Sequence, residues 1–173
     1  MGKLRYPMLC VLAVAIGWGA YEVFIHQTLT PTITRAPNAT FASIKGETIA
    51  LSGLRGKVVL VNFGATDCPI CLKEMPQLIA MHQKFQARGF ETVAVAMWYD
   101  PPNRVVSYAD KRALPFKVVF DPVGEHAKAF GDVTLTPTTF VVDKRGNIVG
   151  RFLGEPDFGK LHELIEKKLT EPA

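Results

Sequence analysis

Cysteine is scarce in this chain: three residues of 173, alongside four singly scattered histidines. A structural zinc site built on one CxxC needs two further ligands, usually a second CxxC or an HxxxH pair. Neither occurs, so no metal is expected. A disulfide-stapled scaffold is excluded as well, because Cys10 lies in an apolar stretch and only Cys68 and Cys71 remain. Long runs of one charge are also missing. Net charge is +4, and no basic run exceeds a pair such as Lys111-Arg112 or Lys167-Lys168. The electrostatic footprint of a nucleic-acid binder is therefore lacking. Hydrophobic residues make up 48% of the chain, enough for one domain with a proper core plus a tail.

One long hydrophobic run stands out, Met8 to Ile25, broken only by Glu22. At about 1.5 Å rise per residue it just crosses a hydrocarbon core. Lys3 and Arg5 precede it and no Lys or Arg follows until Arg35, which orients the N-terminus inside and the rest outside. No clean small-x-small cleavage site follows the run, so residues 1–26 read as an uncleaved membrane anchor, with a signal peptide as the alternative. Residues 27–40 are rich in Thr and Pro and read as an extended tether. The globular domain is expected over 41–173.

Within it, Phe41–Ile44 and Thr48–Leu51 predict a hairpin around Lys45-Gly46-Glu47. Val58–Phe63 is a continuous apolar run suited to a central strand. Pro69–Arg88 is expected as a helix, with Leu72, Met75, Leu78, Ile79, His82 and Phe85 on its apolar stripe and Gly89 as its stop. A strand over Thr92–Met97, a short helix over Val105–Arg112, a strand over Lys117–Phe120 and a helix over Val123–Phe130 follow. Thr138–Val142 and Ile148–Leu153 form a hairpin, and Asp157 caps a last helix over Phe158–Leu169. This order gives an α/β fold, a mixed sheet with helices on both faces.

The chemistry concentrates in Cys68-Pro69-Ile70-Cys71, which joins the central strand to the helix. Unpaired N–H groups and the dipole at a helix start stabilise a thiolate on the first cysteine. The second, one turn on, closes a ring with it. Reversible disulfide exchange needs that arrangement.

The strand–CxxC–helix unit resembles the thioredoxin superfamily, and within it the membrane-tethered TlpA/ResA-type proteins of the bacterial envelope. The matching pieces are Leu51-Ser52-Gly53-Leu54-Arg55-Gly56-Lys57, Val59-Leu60-Val61-Asn62-Phe63, Ala65-Thr66-Asp67-Cys68-Pro69-Ile70-Cys71-Leu72-Lys73-Glu74-Met75-Pro76 and Leu135-Thr136-Pro137-Thr138-Thr139-Phe140-Val141-Val142-Asp143. They run in order through most of residues 41–169. The resemblance implies a thioredoxin-like fold with a central insertion over Pro102–Leu114, and a thiol–disulfide oxidoreductase without a cofactor. It implies Cys68 as nucleophile and Cys71 as resolving thiol. Pro137 takes the place of the superfamily's cis-proline, presenting the Thr136 backbone to an extended substrate segment. Glu74 matches an acidic residue that exchanges the resolving thiol's proton, against a bland reading as a solvated helix glutamate paired with Lys73 or Arg88. Asn62 stands where ordinary thioredoxins carry a buried aspartate. The implied partners are disulfide-containing proteins, the inner membrane and a membrane reductase supplying electrons on the periplasmic side, with cytochrome c maturation as one common role.

Two departures matter. Gly64 and Asp67 replace tryptophans of the family pattern, which removes the flat apolar shoulder expected against substrate. Asp67, beside Pro69 and the nucleophile, is expected to raise the Cys68 pKa, with a helix-capping or turn role as the plain alternative. Trp98 and Tyr99 belong either at the edge of the site or in the core. A copper chaperone of thioredoxin type would space its cysteines by three residues, where this chain has two. A peroxiredoxin would set its threonine three before the cysteine, where Thr66 is two before Cys68.

Overall fold

The structure, a computed structural model, describes residues 34–173. The expected anchor over 1–26 lies outside these residues. Among the described residues no helix is long and apolar enough to cross a membrane.

The apolar run Val58–Gly64 forms the central strand, numbered β4 in chain order. It pairs in parallel with β5 (Phe90–Ala96) and antiparallel with β7 (Thr138–Val142). The six-stranded sheet runs β1 (Thr34–Arg35), β8 (Asn147–Leu153), β7, β4, β5, β6 (Lys117–Phe120). A central strand has both faces covered, so both parities of its side chains are apolar. Val59, Val61 and Phe63 enter one core with Phe41, Leu51, Phe130 and Phe140. Val58 and Leu60 enter the other with Leu78, Met81, Phe85, Leu161 and Ile165.

The second face is covered by three helices: α1 (Pro69–Phe85), α2 (Pro102–Lys111) and α4 (Phe158–Thr170). The first is covered by the short α3 (Glu125–Ala129) and by the hairpin β2 (Thr40–Ala42) and β3 (Thr48–Ala50). That hairpin forms a separate two-stranded sheet. Ile44 N donates to Val118 O at 2.9 Å and Lys117 pairs with Glu47 at 2.7 Å, so the hairpin protects the open edge at β6.

The chain departs from expectation in three places. Thr34 and Arg35 pair with Ile148 and Asn147, and Ala36 and Ala39 are buried, so residues ahead of Phe41 also pack into the fold. A short strand of polar residues carries no alternation to read. Helix α1 ends at Phe85; Gln86–Arg88 tighten into a 3-10 turn that closes on Gly89 with φ +88°. Its buried stripe is Cys71, Glu74, Leu78, Met81, His82 and Phe85, while Leu72 is exposed. The stripe turned because Glu74, a polar residue by composition, points inward. Asp157 caps α4 as expected, its side chain accepting from Lys160 N at 3.2 Å.

Candidate active site

Cys68 is the N-cap of α1, in extended conformation, with Pro69 at the first helical position. Proline suits that position because its missing N–H would have no helical partner. Cys68 Sγ accepts from Cys71 N at 3.2 Å, so the sulfur itself does the work of a capping oxygen. Asp67 therefore does not cap the helix. It is exposed in the turn ahead of Cys68, where solvent screens its charge.

Cys68 and Cys71 are joined as a disulfide, with Cα atoms 5.2 Å apart. The two sulfurs are not equivalent. Cys68 is half-buried and Cys71 is only 3% exposed. The Thr136–Pro137 bond is cis. It brings the Thr136 carbonyl oxygen to 3.7 Å from Cys68 Sγ. Thr138 Oγ1 donates to Leu135 O at 2.7 Å and fixes this turn against β7.

Glu74, one turn after Cys71, is fully buried. Its Oε1 accepts from Asn62 Nδ2 at 2.8 Å, and Asn62 also donates to Thr139 Oγ1 at 3.0 Å. Its Oε2 has no hydrogen-bond partner. Burial pushes the Glu74 carboxyl up to about 7; the Asn62 bond pulls it down and the charge of Glu155 pushes it up. Lys73 and Arg88 pair elsewhere, with Glu155 and Glu166. The solvated glutamate is thus not what the fold builds. A carboxyl near 7 is half-protonated at neutral pH, where proton exchange is easiest in both directions.

Sequence reasoning passed over Asp100. It is 1% exposed, and its two carboxylate oxygens accept from Thr66 N at 2.7 Å and Thr66 Oγ1 at 2.6 Å. An acid ahead of Pro101-Pro102 reads as turn chemistry alone, and the partner is 34 residues away. Beside it, Tyr99 Oη lies 3.3 Å from Thr136 Oγ1. Trp98 and Tyr99 are exposed and belong to the edge of the site, not the core. Gly64 lies inward of the shoulder expected there: a Cβ on it would stand 3.6 Å from Cys71 Sγ. Behind Cys71 a cavity of about 50 Å³ is lined by Asn62, Thr66, Asp100, Val105 and Tyr108 among others. Among the described residues no three His, Cys, Asp or Glu side chains converge as a metal site.

The Redoxin family model matches residues 32–165. The thiol-disulfide oxidoreductase ResA of Bacillus cereus is 30% identical over 164 residues, covering 94% of each chain. Its counterpart from Geobacillus kaustophilus is 33% identical over 146 residues, covering 84% of this chain and 83% of that one. Among solved structures, a thioredoxin-family thiol:disulfide interchange protein from Chlorobium tepidum superposes with a TM-score of 0.73 at 28% identity. The match covers 81% of this chain and 99% of that one. With this fold and a bonded CxxC at its helix start, the chain belongs to the Redoxin family and is a thiol–disulfide oxidoreductase.

Proposed function

We propose that the protein is a membrane-tethered reductase of partner-protein disulfides on the periplasmic side. Cys68 thiolate attacks one sulfur of the substrate disulfide, forming a mixed disulfide and releasing one substrate thiolate. Cys71 thiolate then attacks Cys68 Sγ. The Cys68–Cys71 bond forms, the mixed disulfide breaks, and the second substrate thiolate leaves. Two electrons pass to the substrate, whose two thiolates take up the protons lost by the cysteines. Glu74 handles the proton of the buried Cys71, with Asn62 holding its carboxyl in place. Thr136 and cis-Pro137 receive the substrate backbone, and Pro69 and Asp67 border it.

The asymmetry of the sulfurs carries this reading. The half-buried Cys68 caps the helix and meets the Thr136 carbonyl, while Cys71 lies covered beneath. Such an arrangement attacks through one sulfur and resolves through the other. Reduction requires a dithiol donor, and a membrane reductase supplying electrons fits the apolar run Met8–Ile25. Cytochrome c maturation is one setting with disulfides to reduce. The test is Cys71→Ala expressed in the bacterial envelope. Mixed disulfides through Cys68 with cysteine-bearing exported proteins are expected on non-reducing gels. Adducts of equal abundance with Cys68→Ala overturn the assignment.

A further inference from the structure

The tripeptide Trp98-Tyr99-Asp100 is tied to both loops that flank the nucleophile. On one side Asp100 takes both hydrogen-bond donors of Thr66, two residues before Cys68. On the other, Tyr99 Oη meets Thr136 Oγ1, on the residue whose carbonyl faces Cys68 Sγ. Met97 N donates to Gly64 O and Asp100 N to Met97 O, so the tripeptide is anchored to the end of β4 as well. What it then presents is apolar. Trp98 is 59% and Tyr99 40% exposed, with the rings edge-to-face at 5.5 Å. Trp98 also rests on Gly124, where a Cβ would stand 3.4 Å from its Cδ1. Leu135, next to Thr136, is 59% exposed, and Ile70 within the CxxC is 46% exposed.

Large apolar side chains on short, hydrogen-bonded tethers around a reactive sulfur are costly to leave in water, and they form an anchor surface when a partner covers them. We propose that Trp98 and Tyr99, with Leu135, are specificity-determining residues: they recognise an extended polypeptide carrying an apolar residue beside its disulfide cysteine. The occupant follows from continuity with the sulfur and the cis-proline turn, since Tyr99 meets Thr136, whose carbonyl lies 3.7 Å from Cys68 Sγ. The inference rests on the reductase reading, and the experiment separates the two.

Full-length protein is reduced with dithiothreitol, freed of reductant, and mixed with one of three oxidised substrates. Two are symmetric disulfide dimers of an extended peptide, with leucine or with serine beside the cysteine. The third is hydroxyethyl disulfide, which reports on sulfur reactivity without a chain to recognise. Each turnover oxidises Cys68 and Cys71 to the disulfide and reduces one substrate disulfide to two thiols. Wild type is expected to favour the leucine peptide over the serine peptide by about tenfold, the scale of one buried apolar contact. Trp98→Ala is expected to erase most of that preference and Trp98→Phe to retain it. No preference in wild type, or one that survives Trp98→Ala, overturns the recognition proposal alone. Failure to reduce any of the three overturns the reductase reading, and the recognition proposal with it.

Discussion

Glu74 makes stability fall as pH rises, and the magnitude follows from its surroundings. In the unfolded chain the carboxyl ionises near 4.5; folded, it holds its proton to about pH 7. Between those values the unfolded state binds fewer protons than the folded one. Stability therefore declines with pH and reaches its full loss above about pH 8. The offset is worth about 3 kcal/mol. His82 works in the opposite direction: burial holds its imidazole below 6.5, so stability is lost as pH falls through that value. Both wild type and Glu74→Gln carry His82, so the difference between them isolates Glu74. Glutamine keeps a carbonyl oxygen for Asn62 and cannot ionise. Urea unfolding of the oxidised protein between pH 4.5 and 8 is the assay, because urea leaves charge interactions unscreened. Near pH 4.5 the two proteins should agree within about 1 kcal/mol. By pH 8 wild type should have lost about 3 kcal/mol relative to Glu74→Gln. Parallel profiles would refute the reasoning and mean that Glu74 stays ionised in the fold.

Asp100→Ala should cost about 3 kcal/mol, because two hydrogen bonds to a buried carboxylate are lost and the Thr66 N–H is orphaned. A urea midpoint close to wild type would contradict that. Asp67→Asn should lower the Cys68 pKa only slightly. An exposed charge some 6 Å away in water is worth about 0.7 kcal/mol, roughly half a pKa unit. Ultraviolet thiolate absorbance followed against pH reads it, and a shift beyond about one unit would mean the carboxylate is poorly screened. Copper or zinc retained after desalting, or rapid peroxide consumption, would favour the chaperone or peroxidase reading over the reductase.

Much of this architecture is legible in the residues because each level agrees with the next. The run Val58–Phe63 has no polar alternation except Asn62, and it becomes the sheet's centre. Pro69 after Cys68 marks the helix start, and Gly89 stops the 3-10 turn that follows the helix. What escaped reading depends on partners distant in sequence. Asp100 is an ordinary turn acid until the fold brings Thr66 to it. Glu74 is singled out by resemblance, but its burial is not legible until Asn62, itself bonded to Thr139, takes its carboxyl. Strand β1 is two polar residues, whose only signal is a neighbour over a hundred positions away. The aromatic pair Trp98-Tyr99 could be core or surface from composition alone. Its exposure is decided by Gly124 beneath Trp98 and Thr136 beside Tyr99.

The division of labour between the sulfurs is open to one direct measurement: alkylation of the reduced protein by iodoacetamide across a pH series, with each cysteine followed by peptide mass spectrometry. Cys68 should react far faster than Cys71, with a midpoint below the free-cysteine value of about 8.5. Equal rates at the two positions, or faster modification of Cys71, would contradict the account.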